Sequence, residues 1–278
     1  MSKVYFTKEI SAASLLAAFQ ALGRPLGGKV AIKLHMGEAG NTNYLDPALL
    51  SEIIKGIDGA FVDSNTLYHG QRYETEDHLR VAAEHGFTAL PVDILDADGD
   101  TTLPVSGGKY IKQAIVGSHL LNYDSLLSIA HFKGHAMAGF GGTFKNLGVG
   151  VASRAGKLDI HGKGFSLTGE PFIQRVAEYA QAIINSKGDQ VAFINILNNL
   201  SVSCDCDAGA EPAELDDIGI LASLDPVALD RASVDLVYQA SHDGSTLTNH
   251  IEKLGGIRIL GYAEALGLGT QEYTLEEI

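Results

Sequence analysis

Cysteine is nearly absent: Cys204 and Cys206 are the only two among 278 residues. Two thiols cannot build a disulfide framework, and a bridge across one intervening residue would be strained, so the pair poses a question of site chemistry. Positive charge is also scarce, with 20 Lys+Arg against 34 Asp+Glu and a formal net charge of −14. That balance argues against nucleic acid or an anionic membrane surface as partner, because both demand a basic face. A local basic pocket is still compatible with it. No stretch approaches the ~18 uninterrupted apolar residues that a membrane span requires. The opening MSKVYFTKEI lacks the basic segment and apolar run of a secretory leader, so a cytoplasmic protein is expected. Repeats, low-complexity tracts and linkers are missing too. Residues 1–278 are therefore expected to form a single α/β domain, and a hydrophobic fraction of 45% is ample for its core.

What is present is an alternation of strand-length apolar runs with segments of helical period, the pattern of a mostly parallel sheet flanked by helices. KVAIKL, AFVD, PVDIL, KYIKQAIV, SLLSIAH, VAFINIL and IGILAS read as strands. Asp46-Pro47 and Asp225-Pro226 each supply a helix cap followed by a first-turn proline. After the first pair, Leu49, Leu50, Ile53, Ile54 and Ile57 predict a helix face. EPFIQRVAEYAQAIIN carries apolar residues at a 3.6-residue period and predicts a long helix. The Gly-rich stretch from Gly134 to Gly169 reads as the main irregular region.

Polar residues cluster just after the predicted strands: His35 and Glu38, Asp63 to Asn65, His131 to His135, and Asn198 through Asp207. Ligands of open parallel sheets bind beyond the carboxyl ends of the strands, so these segments are expected to converge on one crevice there. The first constellation is HFKGHAMAGFGGTFKNLG. Gly139, Gly141 and Gly142 would let the backbone approach a ligand, and amides at a helix start near Thr143 would favour an anion, with Lys145 adding charge. The string does not match the phosphate-loop pattern of ATP-binding proteins. His131 and His135 stand four apart, but Gly134 between them and the strand before them oppose a helical metal pair. The second constellation is SVSCDCDAG. In an extended conformation Cys204 and Cys206 would share one side and could hold a soft metal, with His35, His135 or His161 completing the ligand set. The alternative is two small buried side chains in a turn. DADGD begins like a calcium loop but lacks the closing glutamate, and reads as a surface turn.

Three long strings, GHAMAGFGGTFKNLGVGVASRAGKLDIHGKG, EYAQAIINSKGDQVAFINILNNLSVSCDCD with DIGILASLDPVALDRASVDLV after it, and IRILGYAEALGLGTQEYTLEE, resemble the domain of unknown function 362 family. The resemblance runs from about Lys29 to the C-terminus. Many such relatives carry a ferredoxin-like segment with two Cys-rich clusters before the EYAQAI-like helix. Here that interval, Gly162 to Ala177, holds no cysteine, so ferredoxin-type clusters are not expected. The resemblance leaves in place Lys133, His135, Lys145, Asn146, Arg154, Cys204, Asp205 and Cys206. It names no reaction.

The reading that follows is a metal-assisted or redox enzyme acting on a small anionic molecule. Lys133, His135, Lys145 and Asn146 would form its catalytic set, Gly139, Gly141, Gly142 and Arg154 its binding loop, and Cys204, Cys206 and His35 its metal ligands. Two alternatives stand beside it: a non-catalytic module or subunit that docks a separate ferredoxin-like redox partner, and a metal-free acid–base enzyme in which the cysteines only pack.

Overall fold

The computed structural model describes residues 1–209, 211–242 and 244–278. Its strands are β1 (Ser2–Thr7), β2 (Val30–Lys33), β3 (Gly59–Asp63), β4 (Val92–Ile94), β5 (Asp100–Pro104), β6 (Gln113–Gly117), β7 (Ser125–His131), β8 (Lys133–His135), β9 (Gly139–Gly141), β10 (Val191–Leu197), β11 (Gly219–Ser223) and β12 (Tyr273–Glu277). The helices are α1 (Ala12–Ala21), α2 (Thr75–Glu84), α3 (Thr143–Gly148), α4 (Arg154–His161), α5 (Glu170–Lys187), α6 (Pro226–Ala240), α7 (Thr246–Leu254) and α8 (Arg258–Ala265).

Eight strands form one sheet in the order β12-β1-β11-β10-β7-β2-β3-β4. Within it β11 runs against both neighbours and every other pairing is parallel. From β2 the chain builds outward through β3 and β4, then returns to lay β7 and β10 on the other side of β2. The strand order therefore reverses between β2 and β7, which makes the crevice beyond their carboxyl ends the natural ligand site of this fold.

Both faces of the sheet are covered, and the central strands are accordingly buried throughout and largely apolar: all seven residues of β7 and of β10 are buried. On one face Leu15 and Ala18 of α1 pack with Ile32, Leu127, Ile129 and Ile194. On the other, Phe172 and Val176 of α5 and Leu229 of α6 pack with Leu126, Phe193 and Leu197. Lys33, Ser128 and Asn195 stand among these apolar residues, with Ser125 and His131 at the two ends of β7, and all are buried. Each anchors a hydrogen-bond network, as buried polar groups must.

Most predicted elements are found within a residue or two. SLLSIAH and VAFINIL coincide with β7 and β10, and Asp225 caps α6 by accepting from the amides of Val227 and Ala228, both at 2.9 Å. Two expectations need correction. After Asp46-Pro47 only a 3-10 turn forms, Pro47–Leu50, because Leu50 and Ile53 reach the core from a turn without a continuous helix. The stretch Gly134–Gly169 is largely regular, since most of β8 and all of β9, α3 and α4 fall inside it; Gly134, Gly142, Gly148, Gly150 and Gly156 serve close packing. The terminal strands β1 and β12, unread in the sequence, pair with each other in parallel from Ser2↔Tyr273 to Phe6↔Glu277. Among the described residues no helix is long and apolar enough to cross a membrane.

Candidate functional site

Beyond the carboxyl ends of β2, β3, β7 and β10 lies a cavity of about 190 Å³. His35, Asp63, His135, Lys145, Lys157 and His161 form its polar wall, and Leu67, Met137, Val149 and Phe165 its apolar one. A smaller recess, lined by Lys33, His131, Lys133 and Asn146, adjoins it through His35, Lys145 and Gly150. Segments separated by more than a hundred residues meet here, and glycines permit two of the approaches. A Cβ on Gly150 would come within 2.5 Å of Lys33 Nζ, and one on Gly134 within 2.2 Å of the Val202 carbonyl oxygen. Gly134 thereby lets the loop after β10 lie against β8, where its amide donates to the Ser201 carbonyl at 2.8 Å.

Buried charges are mostly paired. Lys33 Nζ lies 3.2 Å from Asp63 and donates to Asn146 Oδ1 at 3.1 Å. Burial lowers Lys33 to about 8, with the Asp63 carboxylate opposing. Burial would raise Asp63, but Lys33, His78 and His35 outweigh it and hold that carboxyl well below the usual range. Arg72 donates to Glu38 at 3.2 Å and to the Tyr68 hydroxyl at 2.7 Å, and Tyr68 donates to Glu38 at 2.7 Å. A second group joins Asp205 to Lys133 Nζ at 2.6 Å and His131 Nδ1 at 2.9 Å, while His131 Nε2 faces the Asn198 carbonyl at 2.7 Å.

Lys145 and Lys157 differ. Both are cavity-lining ammonium groups, and among the described residues neither has a carboxylate within ion-pair distance. Lys145 faces the Cys204 sulfur at 3.6 Å; Lys157 donates to the Ala152 carbonyl at 2.6 Å. Burial lowers Lys157 to about 8, against the more distant pull of Asp96 and Asp63. For Lys145 burial acts the same way but is outweighed by Cys204, Cys206 and Asp205, which raise it.

The segment holding the cysteines is a turn, closed by the Asp207 amide donating to the Cys204 carbonyl at 2.9 Å, and not the extended run expected. Both thiols are free. The Cys206 thiol, followed in effect by Lys145 and Lys133, pulls Cys204 well below the ordinary thiol range although burial opposes. Cys206 moves up in return, because its proton is shared with the Cys204 sulfur and it is buried. Cys204 is buried and Cys206 half-buried. Cys206 lines both the inner cavity and an outer groove on the far side of Tyr68.

Other expected site residues serve differently from the sequence reading. Asn146 is saturated by the scaffold: its Nδ2 donates to the Lys33 carbonyl at 3.1 Å and to Ser128 at 3.0 Å, so it positions Lys33. The start of α3 is not presented to the crevice, since Asp230 accepts from the amides of Thr143 at 2.8 Å and Phe144 at 3.1 Å. Gly142 makes room for that carboxylate, Gly139 packs on Gly256, and Gly141 on the stems of Lys133 and Lys145. Arg154 joins loops, donating to the carbonyls of Thr66 and Tyr73 and lying 3.8 Å over the Tyr73 ring. Among the described residues no group of three or more His, Cys, Asp or Glu side chains is arranged to hold a metal ion. The expected Cys204–Cys206–His35 set is not among such groups, and His35 Nδ1 is engaged by the Gly37 amide at 3.0 Å.

Lys33, Arg72 and Lys157 were not named as site residues from the sequence, and Asp63 was read only as part of the polar cluster after its strand. One signal for Lys33 was present: a lysine closing an otherwise apolar strand. Lys157 carried none, because it lay inside the stretch read as irregular.

A family model for the domain of unknown function 362 matches residues 30–235, and the chain belongs to that family. No curated protein matches it. Among solved structures, a protein from Thermotoga maritima is similar with a TM-score of 0.50 at 12% identity, over 82% of this chain and 57% of that one. The lactate racemase apoprotein from Thermoanaerobacterium thermosaccharolyticum aligns with a TM-score of 0.42 at 16% identity, over 69% of this chain and 50% of that one. The chain thus spans about half the length of the solved chains it matches, and the likeness concerns the α/β fold.

Proposed function

We propose that this protein is an enzyme acting on a small organic anion, which it holds in the cavity on Lys145 and Lys157. The observation that carries the reading is the pair of buried ammonium groups, Lys145 beside the Cys204 sulfur and Lys157 on a carbonyl, which among the described residues have no carboxylate within ion-pair distance and line one cavity in a protein of net charge −14. Burying a cation unpaired is costly, and an incoming carboxylate or phosphate would supply the missing partner. The volume fits a molecule equal to roughly six waters, at about 30 Å³ each. The apolar wall of Leu67, Met137, Val149 and Phe165 suits a ligand with a short hydrocarbon part. Imidazoles in the same wall offer acid–base catalysis.

Calorimetric titration with acetate, sulfate and phosphate tests the reading, with a Lys145→Met/Lys157→Met variant as control. Saturable binding in the wild type that weakens at least tenfold in the variant is expected. Equal binding by both proteins, or by neither, would sink it.

A second reading uses the thiols, because the Cys204 thiol, 3.6 Å from Lys145, is pulled well below the ordinary range and Cys206 opens on the cavity. In that case the pair binds a soft metal or cycles between thiol and disulfide, a strained and therefore oxidising couple. Metal analysis of anaerobically purified protein and the Cys204→Ser/Cys206→Ser variant decide it: no metal, no titratable couple and an unaltered variant would dismiss the thiol role.

A further inference from the structure

Resting on the reading of the cavity as an anion site, we propose that His161 is its proton acceptor and that His35 and His135 are its N–H donors. The three rings line the same cavity, yet their hydrogen bonds set them in different states. His161 Nδ1 faces the Lys157 carbonyl at 2.7 Å. A carbonyl only accepts, so Nδ1 carries the proton and Nε2 keeps a bare lone pair. His135 Nδ1 instead receives the amides of Ala138 at 3.0 Å and Met137 at 3.3 Å. An amide only donates, so the proton of this neutral ring sits on Nε2. His35 is arranged like His135, with the Gly37 amide on its Nδ1.

The surroundings keep His161 neutral while the cavity is empty. Burial is the main cause and Lys145 and Lys157 add to it, bringing His161 down to about 4. The titratable groups facing it are Lys145 from α3, Lys157 from its own helix and His135 from β8; Phe165 and Phe172 pack on its ring at 5.2 and 5.0 Å between centroids. Phe172 also stacks on His135, at 6.5 Å, so the two imidazoles flank one phenyl ring. An anion seated on the two ammonium groups offsets their part of the lowering and places a negative charge in the same cavity, so the Nε2 lone pair of His161 becomes more basic when the substrate arrives.

The ligand class is a small organic acid that carries a transferable proton beside its anionic group. In the step, the substrate's C–H or O–H bond breaks, the proton passes to His161 Nε2, and the electron pair stays on the substrate. Charge gathering on a substrate oxygen meets the Nε2–H groups of His135 and His35.

The test uses sulfate, which does not itself titrate near neutrality. Binding is measured calorimetrically at pH 6 in two buffers of different ionisation heat. Lys33 and Lys157, near 8, are already charged at that pH and take up no proton, so the His161→Gln variant assigns the protons taken up on binding. Uptake of between about half and one proton is expected, and His161→Gln should bind sulfate within about tenfold of wild type with the uptake gone. Uptake that persists in His161→Gln, or binding without uptake in the wild type, overturns the assignment. Nitrogen-15 spectra of the histidine-labelled protein decide it independently. They should show His161 protonated on Nδ1, with His35 and His135 protonated on Nε2; a proton on His161 Nε2 overturns it even if sulfate does not bind. Failure of every anion to bind would instead sink the anion-site reading.

Discussion

Lys157 is a buried ammonium whose one hydrogen bond goes to a carbonyl, and the fold bears a cost for it. With its group near 8 against an ordinary 10.5, the charged form is disfavoured in the folded state by on the order of 3 kcal/mol. Lys157→Met should therefore unfold at higher urea concentration than wild type, a gain of about 1–3 kcal/mol, while losing anion affinity, the usual exchange of stability for function. The gain has a pH signature. Below pH 8 the lysine is charged in both folded and unfolded chains and the full penalty applies. Between about 8 and 10.5 the unfolded chain binds more protons than the folded one, so wild-type stability rises with pH. The advantage of the Met variant should shrink across that window; urea midpoints that keep a constant gap from pH 7 to 10.5 would contradict this origin. Anion affinity should fall over the same rise in pH as Lys33 and Lys157 lose charge.

Asp230 and Asp205 show how elements are held by carboxylates reaching between them. Asp230, on α6, receives the first amides of α3 and the Asn195 side chain from β10 at 2.8 Å, so one side chain ties two helices to the sheet. Asp230→Ala removes a cap and leaves buried donors without an acceptor. A loss of about 2–4 kcal/mol in urea unfolding is expected, with a smaller loss for Asp230→Asn. Asp205 plays the corresponding part between β7 and the turn after β10, where it holds both Lys133 and His131. Asp205→Ala strands those groups in the core, and a cost of about 3–5 kcal/mol should appear in the same measurement. A loss below 1 kcal/mol would show that water replaces the carboxylate.

For the molecule as a whole, the acidic surface and the basic interior act in opposite senses. A net charge of −14 means self-repulsion, which salt screens over about 30 Å at 0.01 M and about 8 Å at 0.15 M ionic strength. Raising sodium chloride across that range should raise the melting temperature of both wild type and Lys157→Met through screening, with any extra rise in wild type reporting chloride held on Lys145 and Lys157. A rise confined to wild type would point to chloride in the cavity instead.

The α/β class, the order of most elements and the clustering of polar residues after strands were legible in the chain, because period and turn chemistry are local properties. Lys133, His135, Lys145 and Cys206 could be named for the same reason: each lies just past a strand or in a Gly-rich turn, and each lines the cavity or its recess. Lys157 lay in the stretch read as irregular and His161 was weighed only as a possible metal ligand; both are brought to the cavity by α4, which packs against β6 and α5. The pairing of β1 with β12 depends on contacts between the two ends of the chain, which no window of residues contains. The cysteines sharpen the division. Their spacing made them a question from the start, but whether they meet a metal or an ammonium depends on what other segments bring. The fold brings Lys145 to Cys204 and turns His35 toward Gly37, because ligand sets are made by long-range packing and not by neighbours along the chain.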